Sequence, residues 1–197
     1  MCRIVTVAML FLLVGEAAAQ DQTPRQGSDG GSYFGAPVLK YTAIRDQGAV
    51  MFGGRGGWNL TRSLVLGGGA YGTMTEVDAP AGAVPTAPGP LDIKLETFGI
   101  DLEYAIRPAA PTHLTVTAFM GGAAAHYVDD GTKDQEGETD FMLLLEPSVG
   151  LERRVTDWMH LNLAVSYRLV RGVEQAGLTA DDLNGASGAL AVKLGKF

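Results

Sequence analysis

The stretch TFGIDLEYAI, residues 97–106, decides how the chain folds. Phe98, Ile100, Leu102, Tyr104 and Ile106 take one side of a period-2 pattern, and Thr97, Gly99, Asp101, Glu103 and Ala105 take the other. Successive side chains of an extended strand point to opposite faces, so this stretch reads as a strand with one wholly apolar face. Residues 160–169, HLNLAVSYRL, repeat the arrangement: Leu161, Leu163, Val165, Tyr167 and Leu169 oppose His160, Asn162, Ala164, Ser166 and Arg168. Leu143, Leu145, Pro147, Val149 and Leu151 oppose Glu146, Ser148, Gly150 and Glu152. Leu190, Val192 and Leu194 oppose Ala189, Ala191, Lys193 and Gly195.

Working outward, the same alternation between turn signals gives eight segments: 37–45, 48–58, 63–76, 92–106, 112–127, 141–154, 158–171 and 186–197. No 3.6-residue period persists anywhere, which argues against helices. The connections alternate in length. Residues 59–62, 107–111 and 155–157 form short links at one end. Asp46-Gln47 and the longer stretches 77–91, 128–140 and 172–185 lie at the other. An even number of strands returns the C-terminus to the end where the first strand began, as a closed topology requires. The expected fold is all-β, an eight-stranded antiparallel up-and-down barrel with tight turns at one end and long loops at the other, the asymmetry of a transmembrane barrel.

Alternation alone leaves open which face is wet. A soluble, lipocalin-like ligand-binding barrel turns its apolar face inward and a charge-rich face to water. Here the polar face is mostly Gly, Ala, Ser and Thr with isolated charges, whereas a water-facing surface is about a quarter to a third charged. Eight strands enclose only enough room for side chains to fill. The apolar faces of the best strands carry no charge, as hydrocarbon demands. The candidate interior charges are Arg55, Asp101, Glu103, Glu146, Glu152, Arg168 and Lys193. Such a set is tolerable inside a barrel only as a mutually hydrogen-bonded network. Trp58, Tyr104, Trp158 and Phe197 fall near the tight-turn end; Phe52, Phe98, Phe141 and Tyr167 fall toward the long-loop end. Two aromatic girdles at bilayer interfaces have this distribution.

Residues 1–19 have the layout of an export signal: Arg3, an eleven-residue apolar core from Ile4 to Val14, and Ala17-Ala18-Ala19 before Gln20. Cleavage there removes Cys2, the chain's one cysteine, so the exported protein is expected to hold together without disulfides. Residues 20–36 are Gly-, Ser- and Gln-rich and read as a flexible leader, leaving 37–197 as the barrel domain. A net charge of −7 with no basic run argues against nucleic-acid binding.

Little in the chain points to catalysis. His113, His126 and His160 lack metal-ligand spacing, and G-x-S-x-G is absent. His160 reads as a lumen hydrogen-bonding residue. A lipid-modifying enzyme would need a histidine at the long-loop rim, where His126 is the one candidate. Gly53-Gly54-Arg55-Gly56-Gly57 and Gly67-Gly68-Gly69 match no phosphate-binding motif and read as glycines that let strands coil tightly. The acidic stretch 128–140 lacks the ligand spacing of an EF-hand. Pro147, inside a strand, predicts a bulge. No cofactor and no metal site are expected.

The export signal, the eight alternating segments, the run GGRGGWNLTRSLVLGGGAYG (53–72) and the final LAVKLGKF (190–197) resemble the small eight-stranded outer-membrane barrels, of the opacity, OmpX- and OmpW-like kind. The resemblance covers about residues 37–197. It implies an integral outer-membrane protein, monomeric, with outer-membrane lipid as its surroundings and a structural or loop-mediated interaction role; solute transport is the alternative. It also implies recognition by the barrel-assembly machinery through the final strand ending at Phe197. In that family the final Phe shares a face with apolar residues two and four places earlier. Here those places hold Gly195 and Lys193, a departure that leaves the reading of the last strand open.

Overall fold

The computed structural model describes residues 32–84, 89–129 and 135–197. The expected export signal and residues 20–31 of the leader lie outside these. Eight strands follow in chain order: β1 (Tyr33–Ile44), β2 (Gln47–Asn59), β3 (Leu64–Thr73), β4 (Leu91–Ile106), β5 (Thr112–Asp129), β6 (Gln135–Arg154), β7 (Met159–Arg171) and β8 (Gly185–Lys196). Each pairs antiparallel with its neighbours, and β8 pairs with β1, so the sheet closes into an up-and-down barrel. Closure satisfies every strand edge, the condition for a sheet to sit in hydrocarbon.

The period-2 pattern fixes which face points where. In β7 the odd residues look out, Leu163 and Val165 being 63% and 68% exposed, while Arg168 at an even position is fully buried. In β4 Phe98, Ile100, Leu102 and Tyr104 are exposed, and Asp101 and Glu103 are buried. This is the reverse of a soluble ligand-binding barrel. The apolar-inward alternative is overturned by the faces themselves.

Several boundaries differ from the sequence reading. β1 begins at Tyr33, so residues 33–36, read as leader, belong to the barrel, with Tyr33 opposite Trp58 and Phe34 opposite Gly57. Their Gly-rich composition hides an alternation in which Phe34, Ala36 and Val38 face in. β6 starts at Gln135, taking up much of the stretch read as a loop, because β5 and β6 continue as a long hairpin beyond the point where alternation fades. The first turn is Arg45-Asp46, both at positive φ (51° and 59°), the geometry of a two-residue hairpin whose twist suits the flanking strands. The long connection after β7 contains one helical turn, α1 (Ala180–Leu183), capped by a reciprocal Thr179–Asp182 box.

Pro147 makes no register shift, contrary to the expected bulge. Its ladder to β5 runs unbroken (Ala118 opposite Pro147), and the ladder to β7 skips Glu146 and Pro147 before resuming in the same register. Pro37 does the same between β1 and β8. Proline lacks an N–H and so gives up a bond on one side only. The register shift lies instead between Ala125 and Tyr127, above the region of strict alternation. Gly99 and Gly121 oppose each other across β4 and β5, and a Cβ on either would run into the partner's backbone. That close approach is the reason for glycine at both positions.

Candidate functional site

The interior is built in two layers. Toward the tight turns it holds the charged residues. Arg55 of β2 donates to Asp101 (2.7 Å) and Glu103 (2.9 Å) of β4. Lys193 of β8 reaches Glu103 (2.6 Å) and also Glu152 of β6. His160 Nδ1 lies 2.8 Å from the same Glu152, and Asn162 bridges Thr115 and Glu152. Charges therefore alternate in sign from Asp101 through Arg55, Glu103 and Lys193 to Glu152, which His160 contacts in turn, so that the chain of contacts ties five strands across the lumen. Nearer the middle, Lys40 of β1 binds both oxygens of Glu146 (2.8 and 3.0 Å), and Ser166 donates to that carboxylate at 2.6 Å. Aromatic faces complete the shell: Phe34 lies 5.5 Å from the Arg55 guanidinium and 4.8 Å from Lys193 Nζ, and Tyr71 lies 4.4 Å from Lys40 Nζ. In a dry interior such contacts replace lost water.

All seven interior charges named from the sequence face the lumen, and six of them share ion pairs. Arg168 is the exception. Its Nε donates to Leu183 O (2.6 Å) and its Nη2 to Ala43 O (2.8 Å), so it fastens α1 and the first hairpin to β7 rather than joining a carboxylate. Lys40 was missed by the sequence reading. Its signal was present, since Lys40 sits between Leu39 and Tyr41 on the face of Val38 and Thr42. With it the set has four cations and four carboxylates, a neutral ensemble in a space that penalises net charge.

Toward the long loops the interior is mostly apolar around the buried Arg168, so the polar interior expected from the sequence holds for the tight-turn and middle levels and gives way to a hydrophobic layer above them. Ile44, Met51, Ile93, Leu95, Tyr127 and Val170 from the strands are buried with Val77, Leu178 and Leu183 from the connections. Loop residues fold over the mouth and continue the barrel's core. Arg45 helps hold them there, donating to Asp78 O at 2.5 Å while its backbone N–H donates to Asp182 O at 2.6 Å. We expect Arg168→Leu to leave the buried Leu183 carbonyl and the half-buried Ala43 carbonyl without their donor, at about 1–3 kcal/mol. Limited proteolysis should then cut residues 172–184 markedly faster than in the wild type; unchanged cleavage would show that this loop is held by other contacts.

Of the interface aromatics, Trp58, Phe98, Tyr104, Trp158 and Tyr167 are all exposed on the outer surface. Phe197 is a correction. On β8 odd positions face in, and the Phe197 ring stacks on His160 (3.7 Å between centroids, 11° between planes) and near Phe34 at 6.1 Å. The ring, still 39% exposed, thus lies at the tight-turn end against His160 and not on the outward face of β8. His126 lies in β5 opposite Lys94. Among the described residues no group of His, Cys, Asp and Glu is arranged to hold a metal.

An apolar exterior belt around a closed eight-stranded sheet, with paired charges inside, defines the class: this is the fold of the small eight-stranded outer-membrane β-barrels. Neisserial surface protein A superposes with a TM-score of 0.58 at 18% identity, over 87% of this chain and 100% of that one. The N-terminal β-barrel domain of Pseudomonas aeruginosa OprF gives 0.50 at 14% identity, over 84% and 99%. Ail, the attachment invasion locus protein of Yersinia pestis, gives 0.50 at 10% identity, over 85% and 98%. At these identities the likeness is one of fold. No protein-family model matches the chain, and no curated protein sequence does.

Proposed function

We propose that the protein is an integral outer-membrane barrel, acting as a single chain, whose interior is closed by its own side chains. On this reading its role is structural or carried by the long-loop end, and it is neither an enzyme nor a solute channel. The observation that carries the reading is the size of the space left inside. Between Lys40, Arg55, Tyr71, Asp101, Glu146 and Asn162 the cavity measures about 60 Å³, room for roughly a few waters. The apolar layer above it supports closure from the other side.

Two measurements test this. In planar bilayers the purified protein should give no steady conductance; a stable open level at neutral pH would overturn closure in favour of solute passage. On gels, unheated detergent-extracted protein should migrate apart from boiled protein, because a closed barrel resists SDS until heated. Identical migration would remove the membrane-barrel reading. Insertion by the barrel-assembly machinery belongs to the same proposal, with Leu190 and Leu194 as the outward apolar residues of β8 in place of Phe197. Phe197→Ala should accordingly leave the yield of folded barrel in outer membranes unchanged, and a collapse of that yield would restore Phe197 as the recognised residue.

A further inference from the structure

The two ends of the barrel carry opposite charge. At the tight-turn end Arg62, Arg107, Arg153, Arg154 and Lys196 are all exposed, against Asp157 as the exposed carboxylate side chain among the described residues there. At the long-loop end Asp46, Glu76, Asp78, Glu174 and Asp181 are exposed, while Arg45 is taken up by Asp78 O and Asp182. Among the described residues, five of the six exposed arginine and lysine side chains thus lie at one rim; the sixth, Arg171, stands at the acidic long-loop end.

Their placement is more specific than their sign. Arg153 follows the outward series Val149 and Leu151 on β6, and Lys196 follows Leu190 and Leu194 on β8. Both charges therefore stand on the lipid-facing side, one position beyond the apolar belt. Each tight turn adds at least one arginine close to an exposed aromatic: Trp58 before Arg62, Tyr104 before Arg107, Trp158 after Arg154. Tyr33 is opposite both Trp58 and Lys196 in the sheet. Aromatic rings settle at headgroup depth, and basic side chains beside them extend toward phosphate while their stems stay on apolar surface.

We propose that this rim is a docking surface for the anionic headgroups of the adjoining phospholipid leaflet, phosphatidylglycerol being the simplest example. A ring distributed over all three turns and β8 suits a surrounding lipid annulus. A cell-wall polymer or a protein partner would be expected to engage one sector. The inference rests on the proposed membrane insertion, and the test separates the two.

The chain's two tryptophans, Trp58 and Trp158, both lie at this rim, so their fluorescence reports the lipid there. The folded protein is reconstituted in phosphatidylcholine–phosphatidylglycerol vesicles, with one lipid brominated at a time as quencher. Brominated phosphatidylglycerol should quench more than brominated phosphatidylcholine at equal mole fraction. The corresponding association preference should be on the order of fivefold, the effect one basic side chain exerts near an anionic surface. R62Q/R107Q/R153Q/R154Q/K196Q should lose the preference, the same five positions as Lys should keep it, and R153Q/K196Q alone should lower it, with gel migration confirming folding of each. Equal quenching by the two lipids would overturn the docking surface while leaving insertion standing; absence of quenching by both would overturn insertion itself. Loss of the preference on adding inorganic phosphate, but not chloride at equal ionic strength, would indicate a discrete anion pocket and sink the proposal. So would equal quenching accompanied by charge-dependent cosedimentation with purified peptidoglycan.

Discussion

Lys193→Met is expected to destabilise the folded barrel by about 3–5 kcal/mol, the usual result of removing one partner from a buried ion pair. Lys193 is 1% exposed and its ammonium serves two carboxylates, Glu103 and Glu152. Methionine fills much of the same space but leaves Glu152 with His160 and Asn162, and Glu103 with Arg55 alone. The loss is therefore electrostatic more than steric. Urea unfolding in lipid vesicles, followed by tryptophan emission, measures it. Adding Glu103→Gln to Lys193→Met should recover part of the loss, because one of the stranded charges goes with it, and the double-mutant cycle reads the coupling directly. A change below about 1 kcal/mol would mean that water reaches this layer, and the closed interior would fall with it.

Leu163→Arg is the second large effect, and it bears on the outside. In aqueous surroundings a 63% exposed position tolerates substitution within about 0.5 kcal/mol. In a bilayer the same arginine near the midplane costs roughly 2–4 kcal/mol. Leu163 lies at the centre of β7, opposite Leu151 on one side and Leu190 on the other, so its neighbours are apolar along the belt as well. The same unfolding assay, run on the variant in vesicles, decides the matter. A neutral result would place this surface in water.

Local pattern carried the sequence reading far. Phe98 through Ile106 and Leu161 through Leu169 declare both a strand and its two faces, because strand geometry enforces a period of two without reference to the rest of the chain. Parity then places Asp101, Glu103, Glu152, Arg168 and Lys193 on the inner face before any partner is known. Phe197 marks where that reading stops: expected in the outer aromatic girdle, it nonetheless shares parity with Lys193, and its ring lies on His160.

What parity cannot supply is who meets whom across the lumen. Lys40 and Glu146 are 106 residues apart, and Lys193 and Glu103 are 90 apart; those pairings depend on the stagger with which the barrel closes. The same holds for the long connections, where Val77, Leu178 and Leu183 carry no periodic signal and become core only once the mouth exists to receive them. The chain alone settled the number of strands and the facing of those that alternate strictly, since these follow from backbone geometry one residue at a time, while the start of β1, the extension of β6 and the buried Lys40 escaped it. Closure of the sheet settled the ion pairs, the inward stack of Phe197 and the docking of α1 under Arg168, since each requires atoms from strands distant in sequence to share one narrow space.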